Sequence, residues 1–417
     1  MKLELHIVQN FAPSNLNRDD TGSPKDCEFG GVRRARISSQ CFKRAIRDTF
    51  VQHDLIPESD RAARTKRLIE QLTSRVVQAK KVSVEHARLA VTKALGFVAL
   101  VPDKKDPDKT EYLLFLPLKS LDALAAVVAE HLEKLAVVEA EEPVTAAVMA
   151  PEDAARKKTK AKSRKAEKSD AQQAADPDIK KALEEILRDG SRTPELALFG
   201  RMIADKAGWN VEAACQVAHA VSTNRVSMEF DFYTAIDDLK KDDTAGSDMM
   251  GTIPFNSACF YRYLVVDVEA LIKNLGNDDD ARAQAKRTVE AFIRAAVLAI
   301  PTGKQNSMAA QNRPSLVLGD VRDRAESRSL TNAFVEPVRP GREGDLVSQS
   351  AIRLAAYAAS LDKVYGVTGR KDLSFILLGT EETLAKAIKA KLPGANDRGS
   401  LDALIRALTT AAFGAGT

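Results

Sequence analysis

Apolar and polar positions alternate from the start of the chain. Leu3, Leu5 and Ile7 are separated by Glu4 and His6 and followed by Val8, a period of two that predicts a strand buried on at least one face. A turn-rich connection follows through Pro13-Ser14-Asn15 and Asp19-Asp20-Thr21-Gly22-Ser23-Pro24, and Phe29-Gly30-Gly31-Val32 marks a tight turn. The period then lengthens. Phe42, Ile46 and Phe50 fall on one face of a helix that Ser38 or Ser39 can cap and that runs to about His53. Gln40, Lys43, Arg44 and Arg47 share another face of that helix.

Residues 60–138 read as mainly helical, for example Ala62–Lys80 and Ser120–Leu135, with a strand or turn at Tyr112–Leu116. Between Glu139 and Asp178 apolar periodicity stops. Arg156, Lys157, Lys158, Lys160, Lys162, Arg164, Lys165 and Lys168 lie among small and polar residues, the composition of a disordered linker that cannot bury enough apolar surface to offset its ordering entropy. Short helices are predicted to about Ala220, then an irregular stretch at Ser222–Ser257. Phe260-Tyr261-Arg262-Tyr263-Leu264-Val265-Val266-Asp267-Val268 is the strongest strand signal in the chain. A helix from about Asp279 to Ile300 carries Ala285, Val289, Phe292, Ile293 and Ala296 on one stripe and is stopped by Pro301. Further strands are expected at Ser315–Leu318, Asn332–Pro337 and Leu373–Leu378, with a helix at Val347–Val364. There is no internal repeat, and the pattern predicts one α/β sheet interrupted by large helical insertions.

Composition narrows the classes. The 417 residues are 44% hydrophobic and 29% charged, enough for a soluble core. No apolar run reaches bilayer length, and Glu4 and His6 interrupt any signal-peptide core, so no membrane contact and a cytoplasmic location are expected. Cys27, Cys41, Cys215 and Cys259 form no CxxC pair, and His6, His53, His86, His131 and His219 are scattered without i,i+4 spacing. Neither set predicts a metal site. The net charge of +4 hides a local asymmetry: Arg33, Arg34, Arg36, Lys43, Arg44 and Arg47 occur from Arg33 to Arg47 without one acid.

That segment combines three phosphate-binding devices: glycines that let a backbone approach closely, guanidinium groups and a helix N-terminus after Ser38-Ser39. Gly303-Lys304 does not complete a nucleotide loop, because Leu298 stands where a glycine is needed and Gln305 where Ser or Thr would bind magnesium. Lys304, Gln305, Asn306 and Gln311 remain candidates for hydrogen bonds to a nucleic-acid backbone or base. Phe232-Tyr233 reads either as a strand with one buried face or as an aromatic wedge for bases. Phe199-Gly200-Arg201-Met202 has the same ambiguity, and by itself the Met reads as core. The doublets Asp19-Asp20, Asp237-Asp238 and Asp242-Asp243 suit turns and caps better than metal binding, since neighbours on a strand face opposite ways.

Asn17-Arg18-Asp19-Asp20, Lys25-Asp26 and Phe29 through Gln40 together resemble the CasC family, the repeated backbone subunit of the type I-E CRISPR Cascade complex. Gly200-Arg201-Met202, Ala218-His219-Ala220, Phe232 through Leu239, Gly251-Thr252, Phe260-Tyr261-Arg262-Tyr263 and Lys304-Gln305 extend the likeness in order through nearly the whole chain. The resemblance implies an α+β, hand-shaped protein: an RRM-like (ferredoxin-like) palm at 1–54 and 255–417, helical fingers at 55–200 with the disordered basic insert 139–178, and a thumb hairpin with connecting segment at 201–254. It implies that copies polymerise along guide RNA beside other Cascade subunits, reaching target DNA by way of the guide, without catalysis or cofactor. Arg18, Lys25, Ser38, Gln40, Lys43 and Arg47 would contact the RNA backbone, joined by Arg33, Arg34, Lys304 and Gln305. Met202, Phe232, Tyr233 and Thr234 would form a wedge at a kinked nucleotide, so that Met202 becomes a contact residue. The basic insert departs from the family pattern. The alternative is a ribonuclease of the same wider superfamily acting on CRISPR or target RNA, for which His6, Asp19 and Asp20 are the recruitable acid–base groups.

Overall fold

A strand whose sheet is covered on both faces has no solvent face to display, and β1 (Lys2–Ser14), set between β9 and β10, is such a strand: residues 3–9 are all buried, Glu4, His6 and Gln9 included. The computed structural model describes residues 1–136, 176–189, 192–203, 206–235, 249–341, 344–378 and 382–414. Nearly all of the expected insert, and the acids Asp237, Asp238, Asp242 and Asp243, lie outside the described residues. The chain divides into two compact units, residues 1–56 with 213–417 and residues 57–212. In the first, β2 (Asp26–Phe29) and β3 (Val32–Ile37) form a hairpin around Gly30 and Gly31. Both glycines have positive φ, +62° and +71°, as a two-residue turn of this twist requires. A Cβ on Gly30 would come within 2.2 Å of the Val335 carbonyl oxygen. Helix α1 (Ser39–Gln52) follows, with Ser38 Oγ accepting from Cys41 N and Phe42, Ala45, Ile46 and Phe50 buried.

The second unit is mainly helical. Its first expected helix begins later than the pattern predicts, because Ala62–Thr65 forms β4, which pairs with β5 (Leu114–Pro117). Helices α2 (Leu68–Lys80), α3 (Val84–Phe97), α4 (Leu118–Glu130), α5 (Leu132–Leu135), α6 (Pro177–Asp189) and α7 (Pro194–Phe199) complete it. Leu72, Val76, Val91, Leu95, Leu124, Val128, Leu183 and Trp209 lie in its core. Arg201 is buried there with no carboxylate partner among the described residues: Nε donates to Trp209 O at 2.8 Å and Nη2 to Leu187 O at 2.9 Å. Burial lowers its pKa to about 10.

The first unit resumes with the short strands β6 (Cys215–Val217) and β7 (Ala220–Ser222), then β8 (Glu229–Ala235) and the long β9 (Met249–Asp267). The stretch expected to be irregular thus contains a strand and the first half of another. Gly251, Pro254 and Asn256 interrupt the β pattern in the sequence, but hydrogen bonding to β8 and then β1 carries the strand through them. Helices α8 (Val268–Leu275) and α9 (Asp279–Leu298), the short α10 (Gln305–Met308), β10 (Leu316–Arg322), α11 (Leu346–Tyr365), β11 (Arg370–Leu377), α12 (Glu382–Lys391), β12 (Asn396–Asp397) and α13 (Leu401–Phe413) follow. The sheet order is β12-β11-β10-β1-β9-β7-β3-β2. Helix α9 packs against α1 and α13, while α11 packs on β1, β9 and α12. The α1 and α9 side holds Arg262, which stands opposite Ile7, lies 4.1 Å from the Phe42 ring centroid and donates to Gln9 Oε1 at 2.6 Å. The α11 side holds Val8, Tyr261, Leu318 and Phe375 against Ala351 and Leu354. The expected strand at Asn332–Pro337 is instead a 3-10 turn, Thr331–Phe334, with Phe334 buried.

Candidate nucleic-acid interface

Asn17 organises the basic surface. Its Oδ1 accepts from Ser38 N at 2.8 Å and its carbonyl from Lys25 N at 2.8 Å. One residue thereby ties the turn-rich connection to the start of α1. Arg18 pairs across this loop with Pro24, and Arg36 Nε donates to Asp26 O at 3.1 Å. Arg18 and Gln40 are exposed, and Lys25, Lys43 and Arg47 are half-buried. Lys25 acts on Cys41 and Lys43 on Cys215 through their charges, yet burial dominates both thiols and pushes Cys41 up to about 11 and Cys215 to about 12. Ser38 is nearly buried and spends its hydroxyl on the helix cap. Its contribution is to aim the first turn of α1 and its N–H groups.

Adjacent arginines of β3 divide as the strand period demands. Arg33 points outward and pairs with Asp26. Arg34, expected among the RNA contacts, is fully buried instead. Its Nη1 donates to Ser222 O and Thr223 O at 3.0 and 2.9 Å, and its Nη2 to Phe334 O and Val335 O at 2.8 and 3.0 Å. It clamps the 331–335 turn to β3 and β7 and has no face left for a phosphate. Gln305 commits only its amide nitrogen, Nε2 donating to Pro301 O at 3.0 Å, while its buried Oε1 has no hydrogen-bond partner among the described residues. The glycine of Gly303-Lys304 allows close approach of main chain to main chain: a Cβ there would lie 2.4 Å from Leu16 O. The 301–304 loop therefore abuts Asn15 and Leu16, just beyond the end of β1. A cleft of about 540 Å³ beside it is lined by Arg18, Asp19, Asp20, Arg44, Asp48 and Thr302, among others.

The hairpin of β8 with β9 carries the exposed aromatics. Phe232 stands opposite Thr252 and Tyr233 opposite Gly251. Phe230, Phe232, Thr234 and Met250 share one face of the ribbon, and Phe230, Phe232 and Met250 are 67%, 64% and 66% exposed. Tyr233 lies on the other face with its ring across Gly251, where a Cβ would come within 2.4 Å of it. Phe232 and Tyr233 are therefore not one continuous wedge surface. Sequence reasoning missed Phe230 and Met250, although the i,i+2 spacing of Phe230 and Phe232 marks a shared strand face. In the other unit, Met202 follows the buried Arg201 and is 86% exposed, the reverse of a core methionine.

The ribonuclease candidates are placed differently. His6 is buried in the sheet with Nδ1 2.8 Å from the Tyr261 hydroxyl. Burial lowers its pKa to about 4. Asp19 Oδ1 accepts from Thr21 Oγ1, Thr21 N and Ser23 N. The Thr21 hydroxyl is the main cause of its lowered pKa. Among the described residues no group of three His, Cys, Asp or Glu side chains is placed to hold a metal ion, and no helix is long and apolar enough to cross a membrane.

The family model described as CT1975-like protein matches residues 3–407. The chain belongs to the CT1975-like family. No curated protein matches it. Two solved structures resemble this CT1975-like chain over 99% of its length and 100% of theirs. One, a chain of a "CRISPR RNA-guided surveillance complex, pre-nicking", is 29% identical with a TM-score of 0.79. The other, from a "CRISPR RNA-guided surveillance complex", is 25% identical with a TM-score of 0.67. The mixed α and β fold is shared with chains of these complexes.

Proposed function

We propose that this CT1975-like chain is a CRISPR effector-complex subunit, and within that class the non-catalytic backbone subunit of a type I-E Cascade, oligomerising along guide RNA in the cytoplasm and presenting it to target DNA. The observation that carries the reading is the convergence on Asn17 of Arg18, Lys25 and the capped start of α1, which puts cations and free N–H groups on one surface of the unit. Such contacts grip phosphate and ribose without reading sequence, as a protein holding any guide must, while base pairing supplies recognition. The order β1-α1-β7-β9-α9-β10, with β10, β1, β9 and β7 adjacent and antiparallel, follows a βαββαβ order and supports reading this unit as an RRM-like palm. Residues 57–212 then supply the fingers and the β8–β9 hairpin the thumb, its Phe230, Phe232 and Met250 face displacing a base while Tyr233 stiffens the ribbon. The test is nucleic acid retained through purification. A Lys43→Glu, Arg47→Glu double variant should fold normally yet carry no RNA; RNA retained at moderate salt would overturn the basic-surface assignment.

A further inference from the structure

His219 stands between β6 and β7, exposed, beside the β2–β3 hairpin. Arg36 Nη1 lies 3.0 Å from its Nδ1. A guanidinium has donors and no acceptor, and it stays charged at any working pH. Nδ1 must therefore accept, which places the ring proton on Nε2. Arg36 is itself anchored through Nε to Asp26 O, so the lock is rigid. The charged groups acting on the imidazole are Arg36 from β3 and Lys25 from the segment before β2, both cations. Partial burial, then Arg36, then Lys25 hold its pKa below the ordinary 6.5. A proton on Nδ1 would also face the Arg36 donors directly. The result is a neutral ring among cations, with one N–H left to offer.

Resting on the RNA-binding reading above, we propose that His219 is a further guide-contacting residue whose Nε2–H, its tautomer set by Arg36, donates to a phosphate or 2′-hydroxyl oxygen lying along Lys25 and Arg36. It adds a directional side-chain contact beside the cations of that surface. Arg36 is its positioning residue.

The experiment measures binding of fluorescein-labelled single-stranded RNA of mixed sequence to the full chain by anisotropy, across salt and from about pH 6.5 to about pH 8.5. His219→Ala should weaken binding about tenfold, as loss of one hydrogen bond to a charged acceptor does. The slope of log affinity against log salt should not change, because no cation is removed. Lys25→Ala should instead flatten that slope by about 0.7. His219→Gln, whose side-chain amide offers an N–H at similar reach, should restore most of the loss, and the wild-type advantage over His219→Ala should be the same at both ends of the pH range. Ring nitrogen shifts in the ¹⁵N spectrum should report the neutral Nε2–H form. Unchanged affinity in His219→Ala would overturn the inference alone, as would a flattened salt slope, which would mean an imidazolium contact. A wild-type chain that binds no RNA would overturn the RNA-binding reading itself and this contact with it.

Discussion

Replacing Arg34 by Met separates a structural arginine from a ligand-binding one. The substitution keeps much of the aliphatic bulk and removes a buried guanidinium that donates to four main-chain carbonyls, Ser222, Thr223, Phe334 and Val335. Each buried acceptor left without a donor costs about 1–3 kcal/mol. Relaxation and removal of a desolvated charge offset part of this, so the net loss is about 3–5 kcal/mol, the scale found when one member of a buried polar network is deleted. At about 2–4 °C per kcal/mol for a unit of this size, the melting temperature should fall by about 10 °C. Far-UV circular dichroism in a urea titration follows the whole chain, whereas the single tryptophan, Trp209, reports on residues 57–212. The loss should appear in the dichroism transition. Arg33→Met is the control: its side chain is 57% exposed and pairs with Asp26 at the surface, so its effect should stay within about 1 kcal/mol. Below the unfolding transition, folded Arg34→Met should bind RNA with wild-type affinity and salt slope. Stability within about 1 kcal/mol of wild type together with weakened RNA binding would refute the clamp and return Arg34 to the interface.

Phe230→Ala with Phe232→Ala should spare bulk RNA affinity but erase the periodic reactivity of the guide in chemical probing, while Tyr233→Ala alone should chiefly loosen the ribbon; an unaltered probing pattern in the double variant would count against the exposed-face wedge. His6, with its pKa depressed to about 4 from 6.5, makes the native state favour the neutral ring. Its stabilisation is complete above about pH 6.5 and is lost as pH falls toward 4, by roughly 3 kcal/mol at about 1.4 kcal/mol per tenfold. His6→Gln should remove that slope from the stability-versus-pH curve, and an unchanged slope would contradict it. Gly30→Ala combines positive φ with a Cβ 2.2 Å from Val335 O and should destabilise by more than about 1 kcal/mol, whereas Gly31→Ala, which meets nothing within 4 Å, should cost only the turn strain; equal losses in thermal denaturation would refute the close-approach argument.

Local physics was legible in the chain itself. The Gly30-Gly31 turn, the Ser38 cap, the apolar stripe of α1 and the helices Asp279–Leu298 and Leu346–Tyr365 depend on neighbours within a few residues, and residue spacing encodes such neighbours. The cluster of cations after Gly31 was visible for the same reason. Partners distant in sequence decided the rest. Asn332–Pro337 has strand-forming residues but turns, because Arg34 binds the carbonyls at its end. Met249–Asn256 looks irregular but forms strand, because β8 and β1 supply ladders that Gly251 and Pro254 cannot forbid. Arg33 and Arg34 are the same residue type at consecutive positions, so composition cannot tell which is clamp and which is surface; the strand period separates them only once the hairpin is known to pack against Ser222 and Phe334. His219 was one scattered histidine until Arg36, 183 residues away in the chain, fixed its tautomer. Sequence determined the main helices, the first strand and the sign of the surface charge, since these follow from local spacing. Tertiary structure decided which charges are spent inside the protein and which are left for a ligand, since a hydrogen bond across the fold leaves no periodic trace in the chain.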